Sequence, residues 1–164
     1  MDSLQAVVKE LKSAISRNDY RILKIIFDDD EVLKNASFEE CEFSVCSIFD
    51  ETNGLLTFLN DELSKNRNRI TTSSDDALKA AFKFLKLFIE KCYTTSNFVR
   101  YICQIKNVCQ KALIVTCHNF IKKNAYEAFI KLIKLLKNQN LELDKTINAF
   151  ITHFHIVNEK GKNI

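Results

Sequence analysis

Residues 77–92 read ALKAAFKFLKLFIEKC, and the placing of their polar side chains decides the fold class. Apart from Lys91 near the end, these are Lys79, Lys83, Lys86 and Glu90. Positions three and four apart on a helix lie one above another, so the four form a single narrow stripe. Leu78, Ala80, Ala81, Phe82, Phe84, Leu85, Leu87, Phe88, Ile89 and Cys92 occupy the rest. A helix on the outside of an ordinary small domain is apolar over about a third of its circumference. This one is apolar over most of it and needs neighbours on several sides at once.

The rest of the chain contains what such an arrangement requires. Its 164 residues are 46% hydrophobic, enough for a real core in one domain or one short array of repeats. There is no Pro, and Gly occurs only at Gly54 and Gly161. Sandwiches, barrels and doubly wound sheets need more regular turn punctuation than that, so long helices joined by Asn, Ser and Asp loops are expected. Ser3 is placed to cap a first helix, and YRILKIIF, residues 20–27, forms a second. A helical turn at residues 32–35 follows. Ser37 and Glu40 form a capping box for a helix running to about Phe49. Leu55 to Leu63 is a further helix. Ser74 is read as the cap of the quoted helix, with Asp75 and Asp76 against its positive end. Further helices are expected from about Ser96, from Asn107, from Ala125, and from about Leu143 to Val157. As one continuous domain, the chain divides into an acidic helical part (1–64), a polar loop (65–76), a basic helical-repeat part (77–157) and a frayed tail (158–164).

Shifting the quoted helix by 48 residues lays it on AYEAFIKLIKLLKN, residues 125–138. Lys83 then falls on Lys131 and Lys86 on Lys134, with Phe82 on Ile130 and Leu85 on Ile133. That period is close to the ~40–47 residues of armadillo and HEAT repeats, whose inner helices keep one narrow edge in water. The expected fold is therefore all-α, a short armadillo-like α-solenoid; the alternative is a compact helical bundle. The run FKFLKLFIEKCYTTSNFVRYI, residues 82–102, resembles the armadillo-type repeats of the ataxin-10 family. The matching positions are Phe82, Leu85, Lys86, Cys92, Asn97, Arg100 and Ile102. The resemblance implies a scaffold that binds other proteins and brings no catalytic residues with it.

Charge is distributed unevenly. The formal net charge is +3, but residues 1–60 carry −6 and residues 61–164 carry +9. Between Lys79 and Asn140 the balance is +10. A ridge carrying Lys83, Lys86, Lys131 and Lys134, with Asn97 and Arg100 near its edge, is the candidate partner-binding surface. Its expected partners are proteins with acidic segments. A solenoid that ends early exposes an apolar end, so self-association is a further expectation. Nucleic acid is the weaker alternative, because the basic residues are nearly all Lys and the aromatics fall on buried faces. A subunit role within a larger complex is the alternative that goes with the bundle.

Other chemistry finds little support. Asp28, Asp29, Asp30 and Glu31 begin like a calcium loop, but Leu33 stands where that loop needs Gly. The six Cys include no CxxC pair, and His153 and His155 point away from each other on a helix. No phosphate-binding, metalloprotease or nucleophile-elbow motif is present. The chain is accordingly read as a non-enzyme without cofactors. Apolar runs too short to span a membrane, and thiols suited to a reducing compartment, place it in the cytoplasm.

Overall fold

The computed structural model describes residues 3–65, 72–115 and 118–138. These are all-helical: α1 (Leu4–Ser16), α2 (Tyr20–Asp28), α3 (Glu31–Asn35), α4 (Phe38–Ile48), α5 (Leu55–Ser64), α6 (Thr72–Cys92), a 3-10 turn (Phe98–Tyr101), α7 (Ile102–Val115) and α8 (Asn119–Asn138). The sites of the last expected helix and of the tail lie outside the described residues.

The local signals act as read at several ends. The Ser3 hydroxyl accepts from the Ala6 amide at 3.2 Å. The Ser37 hydroxyl accepts from the Glu40 amide, and the Glu40 side chain accepts in return from the Ser37 amide. The turns at Asn18 and Asn53 use left-handed backbone, φ 52° and 56°. Asparagine tolerates this conformation better than most side chains do. Gly54 opens α5 for a different reason: a Cβ there would run into the Asp50 carbonyl oxygen.

Several boundaries differ from expectation. Helix α6 begins at Thr72, so Ser74 lies inside its first turn and does not cap it. The Ser74 hydroxyl instead donates to the buried Glu62 carboxylate at 2.9 Å. The segments read as starting near Ser96 and Asn107 are a 3-10 turn leading into α7, and α8 begins at Asn119 instead of Ala125. The apolar Ile121 is buried, which extends α8 backward by more than a turn.

Packing explains the mostly apolar α6. It lies among α2, α4, α5 and α8 and buries Ala77, Leu78, Ala80, Ala81, Phe82, Phe84, Leu85, Phe88, Ile89 and Cys92. A run of phenylalanines passes through this centre. Phe27 of α2 lies 5.4 Å from Phe84 and 6.0 Å from Phe58 of α5, and Phe88 meets Phe49 edge-on at 5.1 Å.

Cross-contacts give the helix directions. Lys86 pairs with Glu127 and Glu90 with Lys131, so α6 and α8 run parallel. Phe27 meets Phe84 and Lys34 meets Lys91, so the α2–α3 strip also runs parallel to α6. On the other layer, Leu4 meets Glu40 and Lys12 meets Asp50, so α1 is parallel to α4, while α5 packs on α7. These three neighbouring pairs are therefore parallel, and each is separated in sequence by one or two helices of the other layer. That is the stacking of a helical repeat, whereas an up-down bundle sets antiparallel sequence neighbours side by side.

Candidate functional site

The lysine stripe lies along α6 and α8, and the structure shows how much of it is already engaged. Lys86 Nζ lies 3.9 Å from Glu127 Oε2, and Lys131 Nζ lies 3.3 Å from Glu90 Oε1. The Lys79 ammonium stands 5.4 Å above the Phe120 ring, and Asn124 Nδ2 donates to the Lys79 carbonyl at 3.1 Å. The two ion pairs and the Lys79–Phe120 contact join α6 and α8 at a sequence offset of 41, not the 48 of the repeat alignment. The difference of seven is about two helical turns, so the same faces still meet. Half-exposed pairs of this kind are worth roughly 0–1 kcal/mol each. They fix the register more than they hold the fold together.

Lys83 and Lys134 are the two exposed lysines of the predicted set, and no described residue forms an ion pair with either. Asp30 lies near enough to feel Lys83. Its carboxyl is held below the usual aspartate value, first by a hydrogen bond from Lys34 and more weakly by the charge of Lys83.

Asn97 and Arg100 belong elsewhere. Asn97 lines a hollow against α1 and α4, and Arg100 lines another at the α4–α5 corner. The Arg100 guanidinium sits 6.0 Å from the Tyr101 ring centre. The structure thus gathers four of the six predicted residues on the α6–α8 layer and puts two on the opposite layer, so they form two surfaces. The sequence spacing was silent here because Asn97 and Arg100 follow the end of α6, where the chain crosses from one layer to the other.

The acidic run faces its own lysines. Asp28 pairs with Lys24 at 2.6 Å and Asp30 with Lys34 at 2.9 Å, each one helical turn apart. Among the described residues no three His, Cys, Asp or Glu side chains gather as metal ligands. Nor is any described helix long and apolar enough to cross a membrane. Cys41, Cys92 and Cys109 are buried free thiols. Burial pushes the Cys109 and Cys92 thiols upward, and for Cys92 the neighbouring Cys41 adds to the effect. Such thiols are poor nucleophiles and act as small core hydrophobes. His153, His155 and Cys117 lie outside the described residues.

Glu62 is the polar centre that the sequence did not reveal. It is 1% exposed, accepts from the Tyr20 hydroxyl at 3.2 Å and from Ser74, and pairs with Lys65. It ties together the starts of α2 and α6 and the end of α5. The signal was present in LLTFLNDELS, where Glu62 falls on the same face as Leu55, Leu59 and Leu63.

The comparisons agree with this helical stack. Neither the curated proteins nor the solved structures provide a match. A family model described as "DNA-PKcs, N-terminal", a helical, HEAT-like region, matches residues 42–163, about three quarters of the chain. It carries the helical-repeat reading and nothing of the ataxin-10 likeness. With its parallel stacked helices and a match from α4 onward, the chain belongs to the DNA-PKcs N-terminal family.

Proposed function

We propose that the chain is a non-catalytic helical-repeat scaffold that holds acidic segments of partner proteins on the α6–α8 lysine ridge. The observation that carries this reading is the placement of Lys83 and Lys134. They stand exposed on two parallel stacked helices whose remaining ridge charges, Lys86 and Lys131, are fixed by Glu127 and Glu90. Two cations without ion partners on a rigid helical backbone can receive an acidic segment without any existing pair being broken, at a cost of about 0.5–1.5 kcal/mol for each lysine that docking orders. Family membership supports a part played inside a larger protein assembly. The buried free thiols fit a reducing compartment, for which the cytoplasm is the reading adopted here.

The test is affinity capture with the native chain and with a Lys83→Glu, Lys134→Glu variant, partners being identified by mass spectrometry. Lys86 and Lys131 are left intact, because reversing them would set like charges against Glu127 and Glu90. Partners held by the native chain and lost by the variant support the ridge. Partners retained by both refute it. Duplex DNA binding that falls steeply with salt and is lost in the variant would replace it with nucleic-acid binding.

A further inference from the structure

We propose that the outer face of α4 is a docking site for a basic peptide segment, built around one apolar residue, of another protein. Helix α4 has two faces. Cys41, Val45 and Ile48 point into the core. Glu39, Glu42, Phe43 and Cys46 follow the i, i+3, i+4, i+7 spacing on the other side, the pattern by which a helix meets a partner. Phe43 is 77% exposed, the most exposed of the large apolar side chains described.

Phe43 stands between two hollows. The larger, about 810 Å³, is rimmed by Glu39, Glu40 and Glu42 and has no Lys or Arg in its lining. None of these carboxylates has a cationic partner among the described residues. Glu42 is held in place by the Ser96 hydroxyl at 2.9 Å, and Glu40 by the capping box and the Leu4 amide. Three carboxylates, two of them held in place, beside an exposed aromatic ring suit a Lys or Arg side chain, through charge-assisted hydrogen bonds and cation–π contact.

The second hollow, about 480 Å³, shares Phe43 and includes Ser44. Ser44 is 1% exposed, and its hydroxyl oxygen has no hydrogen-bond partner. A buried hydroxyl without a partner costs free energy, and a small turn of the Ser44 side chain toward the hollow would let a docked peptide carbonyl accept from it. Lys12 in the same lining is neutralised by Asp50 at 2.9 Å, while Lys9 is exposed at its edge. The charges give the occupant a direction: basic side chains over Glu39 and Glu42, an apolar residue on Phe43, and the more acidic end toward Lys9.

A second copy of this chain fits less well. Its α6–α8 ridge would supply the positive charge, but the one exposed large apolar side chain described on α6 or α8, Phe120, is 37% exposed and already lies under the Lys79 ammonium. The site also lies on the layer opposite that ridge, so the two surfaces can succeed or fail independently.

The test is selection of random dodecapeptides displayed on phage against the full chain, followed by affinity measurement by fluorescence anisotropy. Enriched peptides should carry Lys or Arg flanking one large apolar residue. Phe43→Ala and a Glu39→Gln, Glu42→Gln variant should each weaken them by about tenfold or more. Lys83→Glu, Lys134→Glu should leave them unchanged. The substituted side chains are exposed apart from the half-buried Glu42, and circular dichroism would check that each variant folds. Enrichment of acidic peptides, no enrichment, or binding that survives the α4 variants overturns the proposal. So does concentration-dependent self-association in sedimentation that Phe43→Ala abolishes, since the face would then bind a second copy.

Discussion

Replacing Glu62 tests whether a buried carboxylate holds three helices in place. It accepts from Tyr20 Oη at 3.2 Å and from Ser74 Oγ at 2.9 Å, and pairs with Lys65. A hydrogen bond to a charged acceptor is worth about 1.5–3 kcal/mol, and removing one partner of a buried pair costs about 3–5 kcal/mol. The total must fall short of the sum of these. The Lys65 side chain is 42% exposed, and its ammonium also donates to Tyr20 Oη at 2.8 Å, so it is not stranded when Glu62 goes. Leucine also regains apolar burial. Glu62→Leu should therefore cost about 2–4 kcal/mol, and Glu62→Gln, which keeps an acceptor, about 1–2 kcal/mol. For a chain of this size the leucine change corresponds to a fall of about 4–16 °C in melting temperature. Urea unfolding at unchanged m-value is the assay. The pH dependence adds a second reading. Burial works to lower the Lys65 pKa, but hydrogen bonds to Glu62 and Tyr20 outweigh it, and the net shift is upward from 10.5. A raised lysine contributes stability that is fully present below its unfolded pKa and is lost as pH rises through the folded one. The gap between native and Glu62→Gln should hold through neutral pH and narrow above 10.5. A leucine variant within about 0.5 kcal/mol of native would refute the clamp.

Phe84→Ala, which removes a ring packed on Phe27 and Phe88, should destabilise by about 3–5 kcal/mol in the same urea assay. Asp50 titrates below the usual aspartate value, first because Lys12 donates a hydrogen bond to it. Its contribution is present above the unfolded aspartate pKa and fades as pH falls through the lower folded one; carboxyl NMR should show the titration move upward in Lys12→Met. With a thiol reagent under native conditions, exposed Cys103 should react first and buried Cys41, Cys92 and Cys109 only as fast as the fold opens. Equal rates at all of them would contradict the packing of α4, α6 and α7.

The helices were legible because their signals are local. Ser37 and Glu40 cap α4 within one turn, Asn18 and Asn53 bend the chain where they stand, and the thin polar stripe of α6 reports neighbours on several sides whichever they are. The parallel relation of α6 and α8 was also foreshadowed, since equivalent helices of a repeat carry equivalent faces. Tertiary structure alone decided how those faces are used. Glu90 counted as one more polar position of the ribbon, but a two-turn shift in register sets it against Lys131, and Glu127 against Lys86. Asn97 and Arg100 were expected near the edge of that ribbon, but the chain crosses layers before reaching them. Nothing in the local pattern singled out Glu62, which is buried, or Phe43, which is 77% exposed. Periodicity shows that a helix has an apolar side, but only the packing of distant segments determines which positions meet another helix, which meet water, and which charge finds its opposite.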